Sequence, residues 1–206
     1  MSVPKVSPKV TRGYGLLERF LAKKRAQQTN KLIPHLYRSG KILDIGSGTY
    51  PFFLLTTSFA EKYGIDKTFF DSTHERRDDH ALALIQHDIE SGNPLPFRDE
   101  YFDVITMLAV FEHITPQRLT DIFQDVYRIL KKGGLLVITT PAPWTSSILK
   151  GMALLRLVSA LEITEHKRLY TSDSIIDTLR HGGFALGSIC IGYFELYMNT
   201  WVTAQK

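Results

Sequence analysis

The segment from Lys41 to Pro51, KILDIGSGTYP, constrains the fold more than any other part of the chain. Residues 42–45 form a short run bounded by glycine, which is typical of a buried parallel strand. Gly46 and Gly48 then allow the backbone to pass close beneath a ligand, where a side chain would collide. A helix is expected from Pro51, because proline suits the first helical turn, and its unpaired amides would face the same ligand. The segment therefore predicts a loop that binds a nucleotide-type cofactor.

The residues around the two glycines indicate which kind of cofactor fits. The dinucleotide fingerprint has a third glycine where helix and strand pack closest, and Pro51 occupies that position here. Asp44 lies two residues before Gly46, and a carboxylate is unfavourable beside a pyrophosphate but suits a cationic α-amino group. The loop therefore favours a ligand with an amino group, and an oxidoreductase that uses NAD stays as an alternative.

Length and composition predict one soluble domain. The 206 residues are enough to bury a substantial core, and 44% hydrophobic with 22% charged residues is typical of a soluble globular protein. Cys190 is the single cysteine, so no internal disulfide can form and a reducing cytoplasm is expected. No apolar run reaches the ~18 residues that a membrane span needs.

Positive charge is concentrated at the start of the chain. Residues 1–41 contain ten Lys or Arg and one acid, Glu18, a net charge of +9, whereas the remaining residues have a net charge of −5. Leu16, Leu17, Phe20 and Leu21 recur at helical spacing in this part. We expect residues 1–40 to form a basic helical segment that covers the cofactor cleft. Its basic face is either simply solvated or a patch for an anionic substrate, lipid headgroups or RNA.

Strand and helix patterns alternate through the rest of the chain, which predicts a doubly wound parallel sheet. Strands are expected at 42–45, 62–66, 82–86, 102–108 and 135–139, with a final pair at 185–191 and 194–204. Helices are expected at 50–59, 116–131 and 171–180.

Acidic residues follow the second and third strands. Asp66 lies twenty residues after Gly46, the distance at which a βαβ unit places an acid that accepts both ribose hydroxyls. The alternative for Asp66 is a cap on a turn. Asp88 can accept from an adenine amino group, and Ile89 offers its amide and an apolar wall.

These motifs together resemble the class I S-adenosylmethionine (SAM) methyltransferases, in the small methyltransferase type 11-like group. The resemblance covers nearly the whole chain from Lys41 onward and rests on the order and spacing of short motifs. They are Asp44-x-Gly46-x-Gly48, Leu95-Pro96-Phe97, Phe102-Asp103-x-Ile105, Glu112-His113, Arg128 to Gly134, and Gly183-Phe184. The resemblance implies a Rossmann-like sheet of seven strands in the order 3-2-1-4-5-7-6, with the seventh antiparallel and helices on both faces.

The resemblance also implies SAM as the cofactor and a set of residues that bind it. The methionine part would lie against the glycine turn, its amino group on the first acid, the ribose on the second acid, and the adenine at the end of the third strand. The implied contacts, in chain order, are Asp44, Gly46, Ser47, Gly48, Asp66, Lys67, Asp88, Ile89 and Leu108, the last through its carbonyl oxygen near the sulfonium. The chain departs from the group at Leu108-Ala109, where a polar or acidic residue is common.

Fewer sequence motifs identify the residues that bind the methyl acceptor. The apolar pattern of residues 144–162 predicts a helical lid. Trp144 and Tyr170 are expected to line the acceptor pocket, and Tyr14 is expected to be a further contact. His166 at the mouth and His113 after the fourth strand are the candidate bases. Methyl transfer can also run on proximity and desolvation alone, so a base is not required. No metal site or nucleophile arrangement is expected.

The sequence thus predicts a basic segment, 1–40, and a SAM-binding domain, 41–206, that transfers a methyl group to a small-molecule or lipid-like acceptor. A regulatory module that binds SAM without turnover is the alternative from another class. The expected partner is a hydrophobic or anionic small molecule, with peripheral membrane contact as an option and no nucleic acid. The oligomeric state is either a monomer or a homodimer.

Overall fold

The computed structural model describes residues 18–68, 82–145 and 170–206. These residues form a seven-stranded sheet with the order β3-β2-β1-β4-β5-β7-β6. Strands β1 to β5 pair in parallel, and β7 runs antiparallel to its neighbours β5 and β6. The predicted fold class is confirmed. The strands are β1 Lys41–Ile45, β2 Glu61–Asp66, β3 Leu82–Gln86, β4 Phe102–Leu108, β5 Leu130–Pro141, β6 Ile189–Phe194 and β7 Asn199–Gln205.

Four α-helices lie among the described residues. They are α1 Glu18–Leu32, α2 Phe52–Thr56, α3 Pro116–Ile129 and α4 Ser172–His181. Pro116 is at the start of α3, where a missing amide costs no helical hydrogen bond. The Thr171 side chain accepts from the Ser174 amide and caps α4. Single 3-10 turns occur at His35–Tyr37, Phe111–His113, Pro143–Thr145 and Leu186–Ser188.

Successive residues of a strand point to opposite sides of the sheet, so both faces carry apolar side chains. Helices cover both faces. Leu43 and Ile45 belong to the core that includes α3 and α4 residues, whereas Ile42 belongs to a second core with Ala26 and Ile33 of α1 and its connection. The basic α1 is therefore packed on the sheet through its apolar side.

Some element boundaries differ from those predicted. The helix expected at 50–59 is only the five residues of α2, because the backbone is extended at its C-cap, Thr57. Strand β5 begins at Leu130, where a β-bulge lets it pair with Phe102 before the regular register starts at Leu135. Strand β6 starts at Ile189, after a 3-10 turn.

The expected lid and part of the N-terminal segment lie outside the described residues. These are residues 146–162 of the lid and residues 1–17 of the segment, so the predicted division of the chain at residue 40 stays a prediction. Within the described ranges, no helix is both long and apolar enough to cross a bilayer.

Candidate cofactor and acceptor site

Asp44 is buried at the carboxyl end of β1. Only 4% of the residue is exposed, and its Oδ1 accepts a hydrogen bond from Thr106 Oγ1 at 2.6 Å. Thr106 is the register partner of Asp44 on the adjacent strand β4. Burial raises the pKa of Asp44 to about 7; the Thr106 hydrogen bond opposes this shift and the negative charge of Asp66 adds to it. A cation placed here would favour the ionised carboxylate.

The turn after β1 depends on both of its glycines. Gly46 has φ +75°, and a Cβ at this position would collide with the Val110 side chain. Gly48 has φ +69°, and among the described residues, its chain neighbours apart, no atom lies within 4 Å of the place where its Cβ would be. Both positions favour glycine for their backbone conformation. The open space above Gly48 is where a ligand can approach the backbone.

Asp66 ties this turn to the end of β2. Its Oδ2 accepts from the Gly48 amide at 2.9 Å, and its Oδ1 accepts from the Thr68 amide at 2.8 Å. The turn-capping alternative is therefore part of what Asp66 does. A carboxylate has about four acceptor sites, so amide capping and ribose binding are compatible in one side chain.

The loop amides do not form an anion cradle. The amides of Gly46 and Ser47 both donate to the Ile65 carbonyl, at 2.8 and 3.2 Å, and the Gly48 amide donates to Asp66. A pyrophosphate held by this loop would need those same donors. The arrangement disfavours a dinucleotide at the loop.

The residues present do fit SAM. The desolvated Asp44 suits the α-amino cation, and the space above Gly48 suits the methionine chain. Ser47 Oγ is buried without a hydrogen-bond partner among the described residues, so a polar ligand atom could satisfy it. These three features lie within one short stretch, from Asp44 at the end of β1 to Gly48 in the turn that follows.

The predicted adenine contacts lie at the neighbouring strand end. The His87 amide donates to the Asp66 carbonyl at 2.9 Å, which brings the residues after β3 beside β2. Asp88 is exposed, and its Oδ1 accepts from the Glu90 amide at 2.9 Å. Ile89 is half-buried against the core, and Lys67 is exposed. The structure thus places all these residues along one edge of the sheet, and their roles stay predictions.

The corner after β4 leads into a turn that contains a buried acid. Leu108 is half-buried, and Ala109 has φ +56° with its amide donating to the Thr139 carbonyl at 2.8 Å. Glu112, only 1% exposed, accepts from Thr140 Oγ1 at 3.1 Å. Burial raises the pKa of Glu112, against the lowering effect of nearby positive charge. Its neighbour His113 is half-buried in the same turn.

The predicted acceptor residues have different surroundings. Trp144 is 53% exposed, and its Nε1 donates to the Tyr197 carbonyl at 3.1 Å. Tyr170 is buried, with its ring edge-on to Phe111 at 4.7 Å and its hydroxyl donating to the Ile114 carbonyl. These contacts are those of a core residue, so a role for Tyr170 at an acceptor stays a prediction. Tyr14 and His166 lie outside the described residues. No group of metal-ligating side chains occurs within the described ranges.

Three residues that support the site were not singled out from the sequence. Thr106 binds Asp44, Val110 fills the space beside Gly46, and Thr140 binds Glu112. A signal for Thr106 was available, because a lone threonine within the apolar strand Phe102–Leu108 pairs with Asp44 once β1 and β4 are adjacent. Val110 and Thr140 carry no comparable pattern.

Comparison with known proteins agrees with this geometry. The chain matches the methyltransferase domain family over residues 17–189. It is 28% identical over 108 residues to the ubiquinone/menaquinone biosynthesis C-methyltransferase UbiE of Vibrio parahaemolyticus, which is 48% of this chain and 40% of that protein. The chain therefore aligns with about two fifths of the length of the curated relatives it matches.

Solved methyltransferases share the fold. A SAM-dependent methyltransferase from Mesorhizobium loti superimposes with a TM-score of 0.64 at 17% identity, covering 87% of this chain and 96% of that one. One from Thermotoga maritima has a TM-score of 0.66 at 21% identity, covering 93% and 91%. The family match extends over most of the chain and includes the glycine turn, Asp66 and β4. The chain therefore belongs to the methyltransferase domain family, with the class I fold and SAM as its cofactor.

Proposed function

We propose that this protein transfers a methyl group from SAM to a small-molecule or lipid-like acceptor, mainly through proximity and desolvation. One observation carries the proposal: Asp44, the open space above Gly48 and the Asp66 carboxylate meet where β1 and β2 end. They provide an acid for an amino group, room for a chain and an acceptor for ribose hydroxyls. When bound, SAM supplies an electrophilic methyl group on its sulfonium.

The cofactor contacts follow the strand ends. We assign the amino group to Asp44 and the methionine chain to Gly46, Ser47 and Gly48. We assign the ribose to Asp66. At the next strand end, Lys67 and Ile89 flank the adenine, Asp88 accepts from its amino group, and the Leu108 carbonyl points to the sulfonium.

The chain's own contribution to the chemistry is to orient the reactants and to exclude water. Aligning an acceptor atom with the methyl group replaces a bimolecular encounter, and desolvation removes competing hydration. Where the acceptor must lose a proton, His113 and His166 are the proposed bases. His113 follows β4 at the carboxyl edge, beside the buried Glu112. Tyr14, Trp144 and Tyr170 are the proposed acceptor contacts.

The curated relatives support a lipid-like acceptor as the finer choice. Their name assigns them carbon methylation in ubiquinone and menaquinone biosynthesis. A quinone precursor is therefore a concrete acceptor to test, with carbon as the methylated atom. We keep the cytoplasm as the proposed location, since the lone Cys190 is a free thiol.

A second function is favoured by one specific observation. Leu108 and Ala109 stand where proteins of the resembling group often carry a polar or acidic side chain. The second candidate is a module that binds SAM for regulation without turnover. Transfer of a radiolabelled methyl group from SAM to components of a cell extract separates the two. Labelled product supports the enzyme, and tight SAM binding without any labelled product supports the module.

Calorimetry tests the cofactor assignment directly. We expect SAM and its demethylated product to bind at micromolar levels and NAD not to bind. Replacing Asp66→Ala should weaken SAM binding by about 1–3 kcal/mol, because it removes charge-assisted hydrogen bonds. Asp121→Ala on α3 is the control, since Asp121 is 59% exposed and pairs with Arg118 in the same helix. Unchanged SAM affinity in Asp66→Ala would contradict the assignment.

A further inference from the structure

Exposed apolar side chains gather at one place on the described surface. Leu196 and Tyr197, in the turn between β6 and β7, are 88% and 68% exposed, and Trp144 and Tyr193 are about half exposed. Trp144 Nε1 donates to the Tyr197 carbonyl at 3.1 Å, and the rings of Tyr193 and Tyr197 are 5.7 Å apart. We call these four residues the aromatic tip.

The backbone conformation of the turn keeps the side chains of the aromatic tip exposed to water. Glu195, Leu196 and Tyr197 have φ of 53°, 55° and 65°, a left-handed conformation that is unusual for side chains of this kind. The turn is closed by Met198, whose amide donates to the Glu195 carbonyl at 3.0 Å and whose carbonyl accepts from the Ala142 amide at 2.9 Å. Because the turn is ordered and still leaves Leu196 exposed to water, we expect this side chain to contact an apolar medium.

The aromatic tip lies on the cofactor side of the sheet. Strand β7 runs antiparallel to β5, and its first residue, Asn199, pairs with Pro141 at the end of β5. The tip is therefore at the carboxyl edge of the parallel strands, as are Asp44 and Gly46. A surface that contacts the tip also faces the edge from which an acceptor would approach.

Cationic side chains border the aromatic tip. The connection after α1 reaches the amino edge of the sheet, where Tyr37 Oη donates to the Gly133 carbonyl at 2.7 Å, so α1 begins toward the carboxyl edge, where the tip lies. Burial raises the pKa of Glu195 in the tip turn, and the positive charges of Arg25 and Lys24 oppose this rise. Phe20 is 53% exposed, with Lys24 Nζ 5.4 Å from its ring centre. Lys23 is also exposed, and the sequence has no acidic residue from Arg19 to Leu43.

We infer that the aromatic tip and the exposed cationic face of α1 (Arg19, Lys23 and Lys24) dock together on an anionic lipid membrane. Tyrosine and tryptophan place their rings at the headgroup level with their polar atoms in water. Lysine and arginine next to them are attracted by anionic lipids. A protruding leucine beside positive charge complements a fluid, negatively charged surface, whereas a partner helix would need a groove.

Docking at this edge would bring the cofactor site to the membrane surface. An acceptor dissolved in the lipid would then reach the site without crossing water. This consequence depends on the proposed function, but the docking itself does not, since it can be measured on the full chain without turnover.

Flotation with lipid vesicles tests the docking. The 206-residue chain should bind phosphatidylcholine vesicles that contain phosphatidylglycerol and should bind pure phosphatidylcholine vesicles much more weakly. Leu196→Asn should weaken binding at least about tenfold, because it removes one buried leucine. Asparagine tolerates the left-handed backbone of this position, so the turn is kept. The control Leu186→Asn changes a leucine that is 59% exposed before β6, at the opposite edge of the sheet, and should bind as the wild type does.

A second pair of variants tests the charge. Lys24→Gln should weaken binding to the anionic vesicles about fivefold, the contribution of one lysine near such a surface. Lys132→Gln, an exposed lysine in the amino-terminal part of β5, should leave binding unchanged. SAM calorimetry on all four variants should give wild-type affinity, so a failure of the cofactor assignment would be seen separately.

Three outcomes would overturn the inference. The first is no binding of the wild type to anionic vesicles, and the second is equal loss of binding in Leu196→Asn and Leu186→Asn. The third is a protein that does not bind vesicles but dimerises in sedimentation, with Leu196→Asn restoring the monomer. That last result would assign the aromatic tip to a second copy of the chain.

Discussion

Protonation of Asp44 should control the affinity for SAM near neutral pH. The carboxyl group is buried, and its pKa is raised to about 7. Only its ionised form offers a full charge to the α-amino cation of the ligand. Without ligand, about half of the Asp44 carboxyl groups are ionised at pH 7, but only about one in eleven at pH 6.

The size of the effect follows from these populations. If the ligand binds only the ionised form, the apparent dissociation constant is the intrinsic constant divided by the ionised fraction. The constant should therefore decrease about fivefold between pH 6 and pH 7, and less than twofold between pH 7 and pH 8. Binding at pH 6.5 should release a proton from Asp44, because the bound cation lowers the pKa of the carboxyl group.

Isothermal titration calorimetry in buffers of different ionisation enthalpy measures both quantities. Asp44→Asn is the matched variant, since it keeps the size of the side chain and an acceptor for Thr106. It should bind SAM more weakly at pH 8 and show no proton release from this position. Titration of the free ligand's own amino group is common to both proteins, so the difference between them reports the charge at position 44.

Two results would refute the reasoning. One is a dissociation constant of the wild type that is constant between pH 6 and pH 7. The other is the same pH dependence in Asp44→Asn as in the wild type. Either result would mean that Asp44 does not contact the amino group, or that it is already ionised in the free protein.

Two further predictions concern stability and the glycine turn. The pKa of Asp44 is higher in the folded chain than in the unfolded chain. Its contribution to the unfolding free energy is therefore complete below pH 4 and is lost as the pH rises to about 7. The whole change is at most about 4 kcal/mol. Chemical denaturation without ligand should therefore show Asp44→Asn gaining stability relative to the wild type between pH 5 and pH 8, and a constant difference would contradict this. Gly48→Ala and Gly133→Ala should each cost about 1–2 kcal/mol, because both glycines have positive φ, 69° and 74°. In the described part of the chain, immediate neighbours apart, no atom lies within 4 Å of a Cβ added at either position, so the cost is that of the backbone conformation alone. SAM affinity should decrease at least about tenfold in Gly48→Ala alone, and equal affinity in the two variants would show that the ligand does not lie above Gly48.

The secondary structure of the basic segment could be predicted from a local sequence pattern, but its packing could not. The run of positive charge and the helical spacing of its apolar residues are properties of neighbouring residues, so a basic helix could be predicted, and Glu18–Leu32 is helical. The expectation that the segment covers the cofactor cleft stays a prediction. The packing of Ala26 and Ile33 with Ile42, Phe53 and Val104 was not predicted, because these residues are distant in the chain. The packing of Tyr170 against Phe111 was likewise not predicted, and its role in lining an acceptor pocket stays a prediction.

The sequence by itself determined the fold class, the strand order implied by the family resemblance and the SAM cofactor. The fold class and the cofactor loop depend on short-range signals, namely strand periodicity, glycines that permit a positive φ, and acids at strand ends, whereas the strand order and the identity of SAM were implied by the resemblance. Only the tertiary structure decided that Asp44 is desolvated beside Thr106, 62 residues away, with a pKa near neutrality. Only the structure placed the aromatic tip next to the cationic face of α1. Burial and the field of distant charges depend on which strands and helices meet, and no local stretch of sequence contains that information.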